Sequence, residues 1–287
     1  MGRQLPPAYL AGAALMVLSV TLTSCLDTIL RSLSARHDPI FLAWGRHVVQ
    51  AGTLAAIAPW LGPARVFRTT RLWLQVGRGV CLLASTVFII LALQRLPMAQ
   101  SYAIAFSTPL IATALAALLL RERATPRQLA CIGGGFIGVL VSLDVTAPTA
   151  SLALLLPLAM AAFNAGFQVL TRLGGRDQDP YSLIFYGALS AALAATPLLP
   201  WTAGPIGAAD LGLLAVGGLF GTAGHLCLVH AFRLAPTVIV SPMVYLQLIA
   251  VSLLGYGLFG EVPSLPTVLG GIVVAISGIA LLRSPMR

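Results

Sequence analysis

Long apolar segments separated by short polar breaks follow one another along the whole chain. We marked apolar stretches of about 17 to 25 residues and ended each at Arg, Pro or Asp, which predicts ten helices able to cross a bilayer. The breaks between them are too short for a separate water-soluble domain. The pattern predicts an all-α integral membrane protein with ten transmembrane helices, at 9–33, 39–61, 72–93, 97–120, 127–145, 151–173, 180–199, 209–231, 236–259 and 266–282.

The two halves of the chain resemble each other. The segment RSLSARHDP at 31–39 is similar to RLGGRDQDP at 172–180, and Glu122 has a counterpart in Glu261. The first repeat is therefore 1–146 and the second 147–287, with five predicted spans each. Because five is odd, the second repeat must enter the membrane in the opposite sense. Two inverted five-helix repeats are the architecture of many secondary transporters, in which access to a site between the halves alternates.

Composition supports the membrane assignment and predicts an orientation. Hydrophobic residues make up 58% of the 287 residues and charged residues only 9%, whereas soluble domains carry about a quarter charged residues. All 17 basic residues are arginine and most lie in the breaks between apolar segments. The positive-inside rule explains them, so no nucleic-acid binding is expected. With a cytoplasmic N-terminus, twelve arginines fall in inner loops and tails and three in outer loops, which predicts that both termini are cytoplasmic.

No metal or cofactor site is predicted. The four cysteines and four histidines are isolated, without CxxC or carboxylates at ligand spacing, and are expected to be packed side chains. The glycine-rich segment CIGGGFIG at 131–138 lacks the Lys and Ser/Thr of a phosphate loop. An intramembrane enzyme would need a nucleophile with a base, or paired acids, and a sensor has no need of an inverted repeat. We therefore keep an enzyme or a sensor only as remote alternatives.

Asp27 and Arg46 are charged residues within predicted spans. Charges deep in a bilayer cost about 2.5–3.5 kcal/mol on insertion scales and usually face a partner or a watery cavity. Both residues lie nine or ten positions from the midpoint of the first hairpin, so we expect them at the same depth, roughly 10 Å from the outer surface. A third charge, Arg78, lies near the cytoplasmic end of its span, and we interpret it as an interfacial arginine.

Two interpretations of the Asp27 and Arg46 pair stay open. The first is a salt bridge from Asp27 to Arg46, or to Arg31 one turn later. The second is a cavity wall in which Arg46 meets a substrate carboxylate or phosphate and Asp27 meets an ammonium group or a coupling proton. The repeat places Gln168 and Gly187 at the equivalent positions. A pair present in only one half favours a functional role, and Gln168 is a further candidate.

The fourth and ninth predicted spans each contain a proline at an equivalent position of the repeat. A proline removes a backbone donor and weakens the helix around it. Ordinary packing with tolerated kinks is one explanation. As a pair in inverted halves, the two spans are also candidates for cavity walls and hinges, with hinge residues Pro109 and Pro242 and substrate-binding residues Tyr102, Phe106, Tyr245 and Gln247.

The segment ALQRLPMAQSYAIAFSTPLIATALAALLLRERATPRQLACIGGGFIGVLVSL at 92–143 carries several family-like features. They are an AL..LP.A entry, TPL at 108–110, Glu122 with Arg123, and Gly138 with Val139. This segment resembles the signature region of the EamA branch of the drug/metabolite transporter superfamily. The resemblance covers essentially the whole chain as two units, the second weaker because Val262 replaces the arginine expected after Glu261. It implies a ten-helix bundle with a central cavity that moves small organic solutes.

A narrower likeness bears on the substrate. DTILR at 27–31 and WGR at 44–46 are similar to the subgroup containing S-adenosylmethionine carriers and riboflavin importers. We therefore expect a secondary transporter of a small polar metabolite, amino-acid-like, S-adenosylmethionine-like or a vitamin such as riboflavin. An exporter of drugs or toxic metabolites with the same fold is the alternative. The expected setting is a bacterial inner membrane, with the substrate, lipid and coupling protons as partners and a monomer or homodimer as the assembly.

Overall fold

The protein is described here by a computed structural model that covers residues 7–119, 125–142, 152–173, 178–236 and 240–282. Every regular element in these ranges is helical. Short 3-10 turns at Leu152–Leu154, Thr196–Leu198 and Ser241–Tyr245 adjoin longer helices. The α-helices are α1 (Pro7–Ser34), α2 (Pro39–Leu61), α3 (Pro63–Phe67), α4 (Leu72–Arg95), α5 (Met98–Ala105), α6 (Thr108–Leu119), α7 (Pro126–Ser142), α8 (Leu155–Leu173), α9 (Pro180–Ala195), α10 (Leu199–Thr202), α11 (Ala208–Leu234), α12 (Leu246–Phe259) and α13 (Leu265–Leu282).

The helical membrane architecture is confirmed, while the number of crossings stays a prediction. In the described ranges, five helical stretches are long and apolar enough to cross a membrane. Shorter apolar helices occur at Leu129–Ser142, Met243–Phe259 and Leu265–Ala280. Helix α2 has 23 residues, but its interior carries Arg46, His47 and Gln50. The five long stretches are Pro7–Ser34, Leu72–Arg95, Leu152–Thr171, Pro180–Thr202 and Ala208–Leu234.

Equivalent capping residues begin the second helix of each repeat. Asp38 precedes α2, and its side chain accepts a hydrogen bond from the Ile40 amide at 2.7 Å. Asp179 precedes α9 and accepts one from the Tyr181 amide at 3.0 Å. Both aspartates are followed by proline at the first helical position, where the missing N–H costs nothing. The similar DP pairs of the two repeats therefore encode the same helix start.

The two proline-containing spans are interrupted in the structure. The fourth span is divided into α5 and α6, with Phe106 and Ser107 between them. Pro109 is the second residue of α6, and its ring would clash with the carbonyl four residues earlier in a continuous helix, which is where α5 ends. In the ninth span, Pro242 lies in the 3-10 turn that precedes α12. The interruptions are present as expected, and the role of the prolines as hinges stays a prediction.

The helices pair across the two repeats in a reciprocal way. Helix α1 packs along α11, and α4 packs along α8. Exchanging the equivalent helices of the two repeats, α1 with α8 and α4 with α11, converts the first contact into the second. The contacts of α2 with α9 and of α7 with α13 map onto themselves. This reciprocal set of contacts is the one that two repeats related by a two-fold axis would make. The predicted boundary between 146 and 147 lies outside the described residues.

Apolar packing differs between the two ends of the bundle. We call the end predicted to face away from the cytoplasm the outer end. In the described part of the chain, the outer half holds one continuous core that includes Leu30, Ile90 and Leu93. The inner half holds two separate cores, one around Leu54 between α2 and α9 and one around Met16 between α1 and α11. The apolar core is therefore continuous in the outer half and divided in the inner half.

Helices α7 and α13 approach each other at two glycines. A Cβ atom added at Gly138 would lie 2.9 Å from the Gly270 carbonyl oxygen and 2.9 Å from the Val274 amide nitrogen. Such distances are below van der Waals contact, so the backbones themselves touch. Close approach at small residues is a common way to pack helices in a membrane. Gly133, on the same helix as Gly138, has nothing within 4 Å of its would-be Cβ.

We predict that Gly138→Ala lowers the free energy of unfolding by about 1–3 kcal/mol because a methyl group must force two backbones apart. The matched control Gly133→Ala should be neutral or stabilising, since alanine favours a helix by about 0.5–1 kcal/mol. Melting temperatures of the detergent-solubilised variants provide the measurement. Equal melting temperatures for the two variants would contradict the close contact.

Candidate functional site

Asp27 lies within α1 at the meeting point of the two repeats. The residue is 3% exposed. Its Oδ2 atom accepts hydrogen bonds from the Tyr102 hydroxyl on α5 and from Gln247 Nε2 on α12, the latter at 3.4 Å. Helices α1 and α5 belong to the first repeat and α12 to the second. The carboxylate therefore links the two repeats next to both interrupted spans.

Aromatic rings adjoin this carboxylate. The Tyr102 and Phe106 ring centroids are 6.1 Å apart, and those of Phe106 and Tyr245 are 5.1 Å apart. Phe106 lies at the break between α5 and α6. The Tyr245 hydroxyl is buried and has no hydrogen-bond partner among the described residues. It fits against Gly278, where a Cβ atom would overlap it. The structure thus brings together five predicted site residues, Asp27, Tyr102, Phe106, Tyr245 and Gln247.

Arg46 is buried without a direct protein partner. It is 8% exposed, and in the described ranges no acceptor hydrogen-bonds to its guanidinium and no carboxylate oxygen lies within 4.0 Å of it. Asp27 is near enough to interact electrostatically but not in contact. The guanidinium nitrogens keep a small accessible surface, because none of them is among the buried side-chain atoms that are both fully enclosed and without a partner. They lie beside Gly221 of α11, whose would-be Cβ is 4.0 Å from Nη2.

Arg31 pairs with Glu261 instead of Asp27. The two side chains form an ion pair, and the Arg31 guanidinium also lies 4.4 Å over the Phe259 ring. The other Glu261 oxygen accepts a hydrogen bond from the Met98 amide, the first of α5, at 2.9 Å. Neither predicted salt bridge of Asp27 is therefore formed. Sequence reasoning noticed Glu261 only as the counterpart of Glu122, which lies outside the described residues.

A second polar group lies beside Arg46, where α2 packs against α4 and α11. His47 is fully buried and its Nε2 lies 3.2 Å from Thr86 Oγ1. Gln50 Nε2 lies 3.0 Å from His225 Nδ1. Among the described residues, His47 Nδ1 and Gln50 Oε1 have no partner. Sequence reasoning expected His225 to be a packed hydrogen-bonding residue but missed His47 and Gln50. The sequence could have revealed them, because His47 and Gln50 are two polar residues three positions apart within one apolar helix.

Gln168 does not join the group around Asp27. Its side chain is exposed and its Nε2 donates to Asn164 Oδ1 at 3.0 Å. Asn164 Nδ2 in turn lies 3.5 Å from Ser85 Oγ on α4. The counterpart of Asp27 therefore belongs to a separate polar stripe along α8. Its assignment to substrate binding stays a prediction.

The interpretation of Arg78 as an interfacial arginine is wrong. The residue is 2% exposed and lies between α4, α8 and α9. Its guanidinium donates to Thr171 Oγ1 at 2.9 Å, to the Leu183 carbonyl at 3.3 Å and to Gln75 Oε1. It also lies 4.9 Å over the Phe167 ring. Thr171 on α8 and Leu183 on α9 are far from Arg78 in the sequence, so its burial was not visible in the local pattern.

Comparison with known proteins identifies related sequences. A model of the EamA-like transporter family matches residues 10–143 and 151–284. An S-adenosylmethionine uptake transporter of Rickettsia conorii is 24% identical over 97% of this chain and 95% of its own length. A riboflavin transporter of Brucella anthropi is 28% identical over 76% of this chain and 79% of its own. A pseudopaline exporter of Pseudomonas aeruginosa is 28% identical over 72% and 74% of the two chains.

A solved crystal structure has the same fold. Its TM-score is 0.62 at 18% identity, and the match covers 95% of this chain and 96% of that chain. In the described residues, no group of three or more His, Cys, Asp or Glu side chains is arranged to hold a metal ion.

We predict that Tyr102→Phe destabilises the protein more than a matched surface change. The variant removes a hydroxyl that donates to a buried carboxylate, and hydrogen bonds to charged groups contribute about 1.5–3 kcal/mol. Tyr256→Phe is the control, because Tyr256 on α12 is 63% exposed. Melting temperatures in detergent supply the comparison. In an Asp27→Asn background the Tyr102→Phe cost should shrink, and an undiminished cost would show that the two side chains act independently.

Proposed function

Because the chain belongs to the EamA-like transporter family, we propose that it is a secondary transporter of a zwitterionic, amino-acid-like metabolite. We place the binding site between Asp27 and Arg46. The observation that carries this proposal is the buried Arg46 guanidinium, which has no protein acceptor among the described residues. A buried arginine in a membrane helix is costly unless a partner is supplied, and a bound anion supplies one.

The chemistry of the site favours particular groups on the substrate. A guanidinium fork binds carboxylate or phosphate with two parallel hydrogen bonds. The Asp27 carboxylate, held by Tyr102 and Gln247, suits a positively charged nitrogen or sulfur atom. The rings of Phe106 and Tyr245 suit a planar aromatic group or a cation. S-adenosylmethionine presents a carboxylate, two positive charges and a purine, so we rank it ahead of riboflavin, which carries no carboxylate.

Alternating access is the mechanism that we propose. The continuous core of the outer half and the divided cores of the inner half support a state in which the outer end is closed. Interlocked inverted repeats can exchange these two arrangements around a site between them. The breaks at Phe106 and at the 3-10 turn before α12 supply bends next to that site. We propose import, which is the direction named for the S-adenosylmethionine uptake transporter of Rickettsia conorii that matches 97% of this chain.

The membrane setting belongs to the same proposal. We place the chain in a bacterial inner membrane with both termini cytoplasmic, on the twelve-to-three distribution of arginines between inner and outer segments. One chain supplies Asp27, Arg46 and the surrounding rings, so a monomer is sufficient to bind substrate. No chemical conversion of the substrate is assigned to these residues.

A thermal-shift screen tests the substrate class, since a specific ligand raises apparent stability. We expect S-adenosylmethionine to stabilise the purified protein and Arg46→Gln to weaken this binding at least about tenfold by loss of a charged contact. Arg36→Gln is the control, because Arg36 is exposed at the outer end and pairs with Asp210. Decarboxylated S-adenosylmethionine, which lacks the carboxylate, should bind the wild type and Arg46→Gln equally. If amino acids, S-adenosylmethionine, riboflavin and nucleotides all fail to stabilise the protein, the proposed class of substrate is wrong.

We also predict that Glu261→Gln opens the outer end. The variant removes the ion pair with Arg31 while keeping an acceptor for the Met98 amide. Ser34, buried near this end, can be replaced by cysteine in a cysteine-free background and labelled with a membrane-impermeant maleimide. Labelling should be several-fold faster in Glu261→Gln, and unchanged in the control Arg95→Gln, which alters an exposed arginine at the same end. Equal rates in both variants would show that Glu261 does not hold this end closed.

A further inference from the structure

Helix α8 is exposed on two separate faces, one apolar and one polar. Leu155, Ala162 and Leu173 are exposed, and their spacings of seven and eleven residues place them on one face at 3.6 residues per turn. Gln168 is also exposed but lies about 120–140° around the helix from these three residues. Polar side chains within membrane spans usually face the bundle interior or a water-filled cavity. The apolar face therefore meets lipid, and the face with Gln168 has other surroundings.

Packed side chains separate Gln168 from the lipid face in both directions around α8. In one direction lie Ala161 and Ala165, which are both 0% exposed. In the other direction lies Thr171, whose hydroxyl accepts the hydrogen bond from Arg78 of α4 at 2.9 Å. Helices α4 and α6 both pack against α8. The exposed amide of Gln168 therefore faces a space inside the bundle.

A line of polar contacts connects this amide to α2. Gln168 Nε2 donates to Asn164 Oδ1 at 3.0 Å, and Asn164 Nδ2 lies 3.5 Å from Ser85 Oγ. Thr86, the next residue on α4, has its Oγ1 atom 3.2 Å from His47 Nε2. The contacts thus run from α8 through α4 to the part of α2 that carries the proposed anion-binding arginine.

The depths of the side chains follow from these contacts. Arg46 directly precedes His47, so it lies close to the level of Asn164. Gln168 lies one helical turn, about 5.4 Å, nearer than Asn164 to the end of α8 that is predicted to be cytoplasmic. A molecule held by its anionic group at Arg46 therefore has the Gln168 amide ahead of it on the inner side.

The Gln168 amide has a free edge for recognition. One of its N–H groups is used on Asn164, and among the described residues its Oε1 atom and second N–H group have no partner. A primary amide presents a donor and an acceptor side by side. This edge is complementary to the N6 donor and N7 acceptor of adenine. Asn164 fixes the orientation of the amide from one turn away.

We propose that the Gln168 amide, held by Asn164, binds the adenine ring of a substrate whose anionic group is held at Arg46. The proposal rests on the proposed function, because it takes S-adenosylmethionine as the substrate. It extends the site from the outer half into the inner cavity. Gln168 then determines specificity, since a small zwitterion engages Asp27 and Arg46 alone, whereas a nucleoside-bearing zwitterion also engages the amide.

The first test needs no substrate and compares two cysteine variants of α8. Gln168→Cys and Ala162→Cys are made in a cysteine-free background, and inside-out vesicles are treated with a membrane-impermeant maleimide. Thiols react as thiolates, which form in water and not in lipid. Labelling of Gln168→Cys should therefore be several-fold faster than labelling of Ala162→Cys. Equal rates, or a faster reaction of Ala162→Cys, would overturn the internal position of Gln168 and the proposal with it.

The second test compares the binding of S-adenosylmethionine and of S-methylmethionine, in which a methyl group replaces the adenosyl group. Gln168→Met keeps the length of the side chain and removes the amide. It should weaken S-adenosylmethionine binding at least about fivefold by loss of hydrogen bonds, while S-methylmethionine binds as before. Gln94→Met makes the same exchange at an exposed glutamine of α4 and should change neither affinity.

The pattern across the two ligands decides the outcome. Arg46→Gln should weaken both ligands, because both carry the carboxylate. If Gln168→Met weakens both equally or neither, the adenine contact is wrong, and the proposed substrate stands as long as the wild type binds S-adenosylmethionine. If the wild type binds neither ligand, the proposed substrate fails and the adenine contact fails with it.

Discussion

A carboxylate buried in a bilayer needs donors, and in this bundle the donors of Asp27 come from both repeats. Lipid offers no hydrogen bonds in the hydrocarbon core, so a carboxylate enclosed by protein there depends on donors from the protein. Tyr102 reaches Asp27 from α5 and Gln247 from α12. The bond from Gln247 crosses between the repeats, so a displacement of α12 against α1 changes its length. The carboxylate thus registers the relative position of the two repeats as well as forming part of the site.

The repeats share their scaffold and differ in their chemistry. Both begin their second helix with an aspartate cap and proline, and both have an interrupted fourth span. The charged pair is present in the first repeat alone, since Gln168 and Gly187 occupy the equivalent positions. Gly187 lies in ordinary van der Waals range of Leu82 and Phe167. In the function that we propose, the repeated scaffold allows the change of conformation, and the first repeat supplies most of the charge that binds the substrate.

Local features of the sequence predicted much of the fold. Apolar length, aspartate caps and prolines act within a few residues, so the helix starts and the two interruptions were foreseeable. The grouping of Asp27 with Tyr102 and Gln247 was foreseeable, because Tyr102 and Gln247 lie in the fourth and ninth spans, which are equivalent in the two repeats. The hydrogen-bond and ion-pair partners of the arginines were not foreseeable. Arg31 meets Glu261 across 230 positions, and Arg78 finds its acceptors on α8 and α9, contacts that depend on how helices cross rather than on spacing along one helix.

The position of Glu261 at the start of α5 has a consequence for the order of events in a transport cycle. The same carboxylate that neutralises Arg31 also caps the helix that carries Tyr102. In the transport cycle that we propose, opening the outer end removes the cap of α5 and part of what orients the Tyr102 hydroxyl. A substrate that engages Asp27 from the outside therefore meets an incompletely assembled site. Closing the outer end completes the site, so substrate capture and closure occur together. The complete site is then not exposed to the outside without substrate.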